Sequence, residues 1–414
     1  MANISNAPPL PHPPNPSKVT PDDLPWYKLF ACFLSAVHMS EEMRINHPEF
    51  RNRWFEEGGR TGECLDEMLE LRRLLDYAEW AYDDDYLVLK ENLAKSSFTL
   101  LRQDLVTEPG RVGHFIALNR EDDTALICLK GTSTISDLLT DLLGKSIEHV
   151  LDAPFDEEYG LRPIRVHEGI FAAASKLADD VQDLITDLFL PRGYKILICG
   201  HSLGAGSACL LGLLLRSRIP ALREGGGGDA PLLRVVAFAS PPVLNYDAAL
   251  ACAPFVTTVV NDTDVIPRAS LRNAIVLNKF LLEIVRKLDE AGLSPNSLRA
   301  ARDLSNDLLT YDERTLMSCE ELNEFTQRCD REEDKSSGDD LFVPGRVIAL
   351  YEKKTAGEAV DGDDVPVKDV ERINFGAVVA DGGLRGLRQI EIRTEMITDH
   401  FCTGYREAID SFIG

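Results

Sequence analysis

The segment Gly200-His-Ser-Leu-Gly204 leaves fewer choices for the surrounding fold than any other part of the chain. An apolar run of strand type, Tyr194–Cys199, precedes it, and small and aliphatic residues of helical length follow from Ala205 to Leu215. Side chains at positions 200 and 204 would collide where strand and helix pack closely, so both positions favour glycine. The sequence therefore predicts a strand, a sharp turn that carries Ser202, and a helix.

This order of strand, turn and helix is the nucleophile elbow of α/β-hydrolases. A serine hydroxyl becomes a good nucleophile when an imidazole takes its proton and a carboxylate orients that imidazole. In α/β-hydrolases the acid and the histidine follow the serine along the chain. Of the eight histidines, only His400 lies beyond Ser202, so we expect His400 to be the base.

The acid is expected just past the end of a strand downstream of the elbow. The apolar run Phe255–Val260 supplies such a strand, and the loop after it contains Asp262 and Asp264. We choose Asp264, which stands immediately before Val265-Ile-Pro267. The alternative is that both carboxylates are only turn residues.

An oxyanion that forms at Ser202 needs hydrogen-bond donors in place. The backbone N–H of Leu203 is one candidate, because it stands at a helix start where unpaired N–H groups and the helix dipole favour negative charge. The second is expected from Lys130-Gly-Thr132, at the end of the apolar run Thr124–Leu129. Thr132 offers both its N–H and its hydroxyl. No metal or cofactor is implied.

Apolar runs of strand length alternate with helical patterns, which predicts an α/β fold with a mostly parallel sheet and helices on both faces. Strands are expected at His114–Leu118, Thr124–Leu129, Tyr194–Cys199, Leu233–Ala239, Phe255–Val260, Arg346–Tyr351, Phe375–Val379 and Gln389–Arg393. Helices are expected at Trp26–Met39, Cys64–Tyr82, Glu168–Leu190 and Thr403–Ile413.

Three regions follow along the chain. Residues 1–25 hold eight prolines and read as a disordered leader. Residues 26–105 form a helical N-terminal region, and residues 106–414 form the catalytic domain. The segment 270–341 interrupts the strand pattern with a helix at Val276–Leu288, a second at Leu298–Leu309 and a charged tail at Arg331–Asp340.

Composition and charge limit the binding partners and the cellular compartment that we expect. The formal net charge of −24 argues against nucleic acid and against docking on anionic lipid through a basic surface. No apolar run reaches the ~20 residues of a membrane span. Nine cysteines without a C-x-x-C pair read as free buried thiols in a reducing compartment. We expect a cytoplasmic protein of unknown oligomeric state, with peripheral attachment to a membrane or lipid droplet left open.

Six motifs stand in the order found in class 3 lipases, a family that the chain resembles over roughly residues 70–410. They are Lys130-Gly-Thr132, Val166-His-Glu-Gly169, Gly200-His-Ser-Leu-Gly204, Ala237-Phe-Ala-Ser-Pro-Pro242, Asp264-Val-Ile-Pro-Arg268 and Asp399-His400. The Ser-Pro-Pro, the Asp-x-x-Pro-Arg and the Pro344-Gly-Arg346 before a strand look most like the sn-1-specific diacylglycerol lipase branch.

The resemblance implies an α/β-hydrolase fold with Ser202, Asp264 and His400 as the triad and with Thr132 and Leu203 as the oxyanion hole. It also places a lid at residues 144–165, although an ordinary surface connector fits that stretch nearly as well. By the same likeness, 270–341 is a cap or regulatory insertion. Its first helix is either a membrane-facing flap or a packed cap.

Two further histidines are expected to be structural. The family places a His-x-Gly at His167, which we interpret as support near the site, and His201 should point away from the site into the packed side of the elbow. The chain departs from the family pattern in two respects. It lacks the bundle of membrane spans of the branch's best-known members, and Lys130 stands where arginine is usual, a charge expected to face a carboxylate.

The sequence thus predicts a serine lipase that cleaves acyl esters of neutral glycerolipids, most of all diacylglycerol to monoacylglycerol and fatty acid, through an acyl-Ser202 intermediate. One alternative is a phospholipase A1 or a monoacylglycerol-type esterase on the same machinery. Another is a lipase-like signalling scaffold that acts through protein partners.

Overall fold

The computed structural model describes residues 25–414 except 47, 57–58, 62–64, 109, 133–144, 225–230, 298, 301–315, 334–339 and 354–373. Several sequence predictions fall outside these described residues. They are the proline-rich leader, nearly all of the helix predicted at 298–309, and most of the charged tail.

Eleven strands and eleven α-helices are described. The strands are β1 (Arg60–Thr61), β2 (Phe98–Asp104), β3 (His114–Asn119), β4 (Thr124–Leu129), β5 (Ser146–His149), β6 (Ile164–His167), β7 (Lys195–His201), β8 (Leu233–Phe238), β9 (Val256–Asn261), β10 (Arg346–Lys353) and β11 (Asn374–Ala380). The helices are α1 (Trp26–Asn46), α2 (Pro48–Glu56), α3 (Leu65–Trp80), α4 (Tyr86–Lys95), α5 (Glu168–Asp183), α6 (Leu203–Arg218), α7 (Ala221–Glu224), α8 (Tyr246–Ala251), α9 (Leu271–Glu290), α10 (Cys319–Glu333) and α11 (Cys402–Ile413).

Nine strands form one sheet in the order β1-β11-β10-β9-β8-β7-β4-β3-β2. The five central strands, from β10 to β4, pair in parallel, and antiparallel strands close both edges. Strands β5 and β6 form a separate antiparallel pair. The predicted α/β-hydrolase fold, with its mostly parallel sheet, is confirmed.

Helices cover both faces of the sheet. On one face, α5 and α6 bury apolar side chains such as Phe171, Val181 and Leu211 against the central strands. On the other face, α3, α4 and α11 bury Leu71, Leu89 and Tyr405. The central strands are buried from both sides, which is why they read as continuous apolar runs rather than alternating ones.

The N-terminal helices and the insertion form a subsidiary layer near the β10–β11 end of the sheet. Helix α9 buries Val276, Ile284 and Leu288 in a cluster that includes Ala31, Cys32 and Ala36 of α1. The insertion helix is therefore packed, and its partner is the N-terminal region. Helix α10, which sequence reasoning missed, buries Phe325 and Cys329 in the same cluster.

The segment predicted as a lid begins at residue 144, which lies outside the described residues, and continues as the β5–β6 pair with the connection between them. Leu151 and Phe155 are buried in the main core. The carbonyl groups of Phe155 and Ala153 accept hydrogen bonds from Arg216 and Ser217, at the end of α6 opposite Ser202. A 16-residue helix spans about 24 Å. Residues 151–155 are thus fastened far from the elbow, which favours the packed connector over the lid.

The strand predicted at Gln389–Arg393 is wrong. These residues pair with none of the described strands, and their polar side chains take part in buried ion pairs instead: Glu391 with Arg51, and Arg393 with Asp262. Apolar and charged residues alternate here as they would in a half-buried strand. In the structure, however, the charged side chains are buried in ion pairs rather than exposed to solvent.

Two further sequence expectations concern the described residues. Seven of the described cysteines form no disulfide, and six of these are buried, as expected for thiols that pack as small apolar groups. Among the described helices, none combines the length and the hydropathy needed to cross a membrane.

Candidate active site

Ser202 occupies a strained turn between β7 and α6. Its backbone lies at φ 61° and ψ −130°, a left-handed region that non-glycine residues rarely adopt. A Cβ built on Gly200 would lie 2.5 Å from the carbonyl oxygen of Gly204, so the predicted collision at this turn is real. The turn directs Ser202 away from the strand and starts α6 at the next residue, as the nucleophile elbow requires.

Ser202, His400 and Asp264 form a continuous hydrogen-bonded chain. His400 Nε2 lies 2.9 Å from Ser202 Oγ, and His400 Nδ1 lies 3.0 Å from Asp264 Oδ1. Because a carboxylate only accepts, the network assigns the imidazole proton to Nδ1 and leaves Nε2 to accept from the serine hydroxyl. All three side chains are buried, with Ser202 1% and Asp264 0% exposed. The predicted acid, base and nucleophile are within hydrogen-bond reach of one another.

Two further donors hold the Asp264 carboxylate. Tyr405 of α11 donates its hydroxyl to Oδ2 at 2.7 Å, and the N–H of Ile266 donates to Oδ1 at 2.9 Å. Burial acts to raise the pKa of Asp264, but the facing His400 and these hydrogen bonds outweigh it and hold the pKa below its usual value. Asp264 therefore stays ionised and can stabilise an imidazolium.

Asp262, the other candidate acid, has a different role. Its carboxylate pairs with Arg51 Nη2 at 2.7 Å and with Arg393 Nη1 at 3.0 Å, and all three side chains are almost fully buried. Burial acts to raise the pKa of Asp262, but the two guanidinium groups outweigh it and lower the pKa. Asp262 therefore anchors the loop that presents Asp264.

The predicted oxyanion donors flank Ser202. Leu203 is the first residue of α6, and Gly131 of the Lys130-Gly-Thr132 segment is so close that an added Cβ would lie 3.1 Å from Ser202 Cβ. The buried hydroxyl oxygen of Thr132 has no hydrogen-bond partner among the described residues. A buried polar group without a partner is costly, and an arriving substrate oxygen would supply one. Lys130 faces Asp84 at 2.7 Å, the carboxylate expected for it.

His201 is buried and packs against the candidate base, with its ring centroid 4.8 Å from that of His400. Its Nε2 lies 2.7 Å from the backbone oxygen of His400, and its Nδ1 lies 2.9 Å from the hydroxyl of Tyr82. Burial, together with the nearby His400, lowers the pKa of His201 to about 3. A neutral His201 therefore donates to the backbone of the candidate base. Sequence reasoning missed Tyr82, since nothing distinguishes it from the other apolar residues at the end of α3.

His167 caps a helix, as its predicted supporting role requires. Its Nδ1 accepts a hydrogen bond of 3.4 Å from the N–H of Ile170, in the first turn of α5. Capping satisfies one of the unpaired N–H groups of that helix. The structure thus brings Ser202, Asp264 and His400 together and keeps His167 and His201 in supporting positions.

Asp399 adds a pH-dependent element next to His400. Its Oδ2 accepts from the N–H of Thr263 at 3.1 Å and from the Thr263 hydroxyl at 2.5 Å. Burial, with the nearby Asp262 charge, raises the pKa of Asp399 to about 7. Between the unfolded pKa of ~3.9 and pH 7, Asp399 is therefore protonated in the folded state but ionised in the unfolded state. The stability that this proton contributes is lost as the pH rises through 7.

We therefore expect Asp399→Asn to raise the free energy of unfolding at pH 8 by about 1–3 kcal/mol, since the amide is neutral and can still accept from Thr263. The gain should shrink toward pH 5. Urea denaturation at both pH values measures it, with Asp152→Asn, an exposed carboxylate on a connecting loop, as the matched control. An equal gain at pH 5 and pH 8 would contradict the raised pKa.

Comparison with known proteins matches the chain to lipases. The family described as lipase (class 3) matches residues 126–274, a range that contains Ser202 and Asp264. Diacylglycerol lipase-beta of Mus musculus is 29% identical over 178 residues, which cover 41% of this chain and 24% of the relative. Diacylglycerol lipase-alpha of Rattus norvegicus is 26% identical over 297 residues, covering 69% of this chain and 26% of the relative. The chain thus spans about a quarter of the curated relatives it matches.

Two solved structures also resemble the chain. The Rhizomucor miehei lipase propeptide complex is 18% identical to this chain and has a TM-score of 0.39. The matched region covers 51% of this chain and 64% of the lipase chain. The lipase from Rhizopus microsporus var. chinensis is also 18% identical and also has a TM-score of 0.39. Its match covers 52% of this chain and 72% of the lipase chain.

The family match and the order of the motifs agree. The matched range begins within β4, just before the candidate oxyanion segment, and ends within α9, after the acid loop. Over residues 126–274, the chain is therefore similar to the class 3 lipases.

Proposed function

We propose that this protein is a serine hydrolase that cleaves acyl ester bonds of neutral glycerolipids, converting diacylglycerol to monoacylglycerol and fatty acid. The observation that carries the proposal is the chain of hydrogen bonds from Ser202 through His400 to Asp264, at 2.9 and 3.0 Å. An acid, a base and a strained serine in one buried line suit acyl transfer.

The reaction takes two steps. Ser202 Oγ attacks the ester carbonyl while His400 Nε2 takes its proton, and the N–H of Leu203 with the N–H and hydroxyl of Thr132 stabilises the oxyanion. The glyceride oxygen leaves with the proton from His400, and the acyl group stays on Ser202. Water then attacks the acyl-enzyme, again with His400 as base, and releases the fatty acid. Asp264 stabilises the imidazolium in both steps.

The choice of diacylglycerol rests on the relatives. The curated proteins that the chain matches are diacylglycerol lipases, and the Ser-Pro-Pro and Asp-x-x-Pro-Arg motifs point to the same branch. Diacylglycerol is uncharged, so a net charge of −24 does not repel it. Since diacylglycerol resides in lipid surfaces, the proposal includes peripheral contact with a membrane or lipid droplet.

Active-site labelling tests the hydrolase against a scaffold of the same fold. A fluorophosphonate probe should label the wild-type protein at one site, and Ser202→Ala should abolish labelling. Ser207→Ala, another buried serine five residues along the same segment, is the matched control and should label fully. A folded wild-type protein that takes up no probe would favour the scaffold.

Substrate competition then separates the lipid classes. Equal amounts of diacylglycerol, phosphatidylcholine and monoacylglycerol in neutral detergent micelles should be consumed with diacylglycerol first. Faster release of fatty acid from phosphatidylcholine would assign the chain as a phospholipase A1, and faster consumption of monoacylglycerol would assign an esterase of that type.

A further inference from the structure

A second line of hydrogen bonds reaches the candidate base from the side of its backbone. The carbonyl oxygen of His400 lies 2.7 Å from His201 Nε2, and His201 Nδ1 lies 2.9 Å from the Tyr82 hydroxyl. Tyr82 stands just past the end of α3, in the N-terminal helical region and outside the matched range 126–274. The line therefore joins His400 to a part of the chain that precedes the lipase match.

Each polar atom in this line has a definite role. A backbone carbonyl only accepts, so the proton of His201 is on Nε2, and Nδ1 is left to accept from the Tyr82 hydroxyl. The backbone oxygen of His201, the other acceptor near that hydroxyl, is 3.5 Å away. Burial raises the pKa of Tyr82 and, together with His400, lowers the pKa of His201 to about 3. The hydroxyl therefore stays protonated and the imidazole neutral near neutral pH.

The Tyr82 hydroxyl also packs against the oxyanion segment, Lys130-Gly-Thr132. A Cβ added at Gly131 would overlap the Tyr82 hydroxyl oxygen and would lie 2.8 Å from the backbone oxygen of His201. Two residues after Tyr82, Asp84 pairs with Lys130 at 2.7 Å. The chain just after α3 thus contacts the oxyanion segment at two adjacent residues and contacts the elbow at His201.

Helix α3 also packs against α11, which begins just after the candidate base. The two helices are antiparallel: Arg406 near the start of α11 binds Asp76 near the end of α3 at 2.6 Å, and Arg72 binds Asp410 at 2.8 Å. The end of α3 therefore lies beside the start of α11. This packing places Tyr82 next to the loop that carries the base.

We propose that Tyr82 and His201 are positioning residues that hold the backbone of His400 and the oxyanion segment in one geometry around Ser202. This inference rests on the proposed hydrolysis, in which His400 is the base. Neither residue transfers a proton to the substrate, and both act on the placement of groups that react. A displacement of about 1 Å in such a group can cost about 100-fold in rate.

Tyr82→Phe tests this role, because it removes the hydroxyl and keeps the ring. The change leaves Nδ1 of the buried His201 without its donor, which is costly and displaces the imidazole from the His400 carbonyl. We expect kcat on diacylglycerol in neutral micelles to fall about 10- to 100-fold, with KM changed less than about twofold. Tyr82→Phe should cost little more when it is added to His201→Leu, since both changes break the same line.

Tyr77→Phe is the matched control. Tyr77 is a buried tyrosine five residues earlier, on α3 itself, and its ring packs edge-on against Phe98 at 5.4 Å. Its loss of a hydroxyl should leave kcat unchanged, even where it lowers the melting temperature as much as Tyr82→Phe does. His201→Gln keeps a side-chain N–H donor and should retain more activity than His201→Leu. Thermal melting checks the fold of each variant.

Nuclear magnetic resonance of the full chain with isotope-labelled histidine gives a readout that needs no turnover. His201 should carry its proton on Nε2 and remain neutral down to pH 5, and His201→Gln identifies its signals. Tyr82→Phe should shift the ring signals of both His201 and His400, whereas Tyr77→Phe should leave them in place.

The outcomes separate this inference from the proposed function. A wild-type protein that hydrolyses no ester and takes up no fluorophosphonate contradicts the hydrolase, while a His201 proton on Nδ1 contradicts the hydrogen-bonded line itself. With an active wild type, a loss of kcat in Tyr82→Phe no larger than in Tyr77→Phe would overturn the proposal. If Tyr82→Phe does not fold, equal activity of His201→Gln and His201→Leu would overturn it instead.

Discussion

Ser202→Ala and His400→Ala are each expected to lower the rate of ester hydrolysis by about 10⁴-fold or more. The two residues act as one unit through a 2.9 Å hydrogen bond, so the double variant should lose little more than either single variant. Fatty-acid release measures the rates. Thermal melting checks that both variants are folded. His400→Ala removes one partner of the buried Asp264 carboxylate, which keeps its hydrogen bonds from Tyr405 and from the N–H of Ile266.

The next prediction distinguishes Asp264 from its neighbour Asp262 as the acid of the site. Asp264→Asn should lower the rate about 10⁴-fold, because an amide in place of the carboxylate can hold His400 in the wrong tautomer. Asp262→Asn should act mainly on stability, since its contacts are with Arg51 and Arg393 rather than with His400. If Asp262→Asn loses the larger share of activity while both variants remain folded, the assignment of Asp264 as the acid is wrong.

The core of the site could be predicted because its determinants are local or ordered along the chain. The elbow needs two glycines around Ser202 within five residues, and both are required by a close approach of strand and helix that the structure contains. His400 followed from chain order alone. Parallel strands were visible for a related reason, since burial on both faces turns each of them into a continuous apolar run.

The supporting residues could not be predicted, because their partners lie far away in the chain. Tyr405 reaches Asp264 across 141 positions, and Arg51 reaches Asp262 across 211. In the sequence Tyr405 belongs to the apolar pattern of the last helix, and Arg51 looks like an ordinary surface charge. The segment 389–393 was wrongly predicted as a strand for the same reason. The sequence does not distinguish a charged residue that is buried in a long-range ion pair from one that is exposed.

Arg51→Met is expected to lower the free energy of unfolding by about 3–5 kcal/mol, the second large effect. Arg51 is 1% exposed and binds Asp262 at 2.7 Å and Glu391 at 3.0 Å. Its removal therefore takes away the ion pair described for Glu391 and leaves Asp262 paired with Arg393. A buried carboxylate in that position must either remain charged at high cost or take up a proton.

Arg51→Met should lower catalytic activity as well as stability. Asp262 has a strained backbone, with φ at 25°, and lies two residues before Asp264, so the ion pair with Arg51 holds the loop that presents the acid. We expect Arg51→Met to reduce kcat even at temperatures where the variant is fully folded, because a small displacement of Asp264 misaligns His400.

Arg53→Met provides the matched control, because Arg53 is an exposed arginine two residues along the same helix. Its effect on stability should stay within about 0.5 kcal/mol. Urea denaturation of the two variants under the same conditions makes the comparison. Equal losses in Arg51→Met and Arg53→Met would mean that helix α2 contributes through its packing or propensity alone. The buried ion pairs would then have no measurable part in holding the N-terminal region against the acid loop.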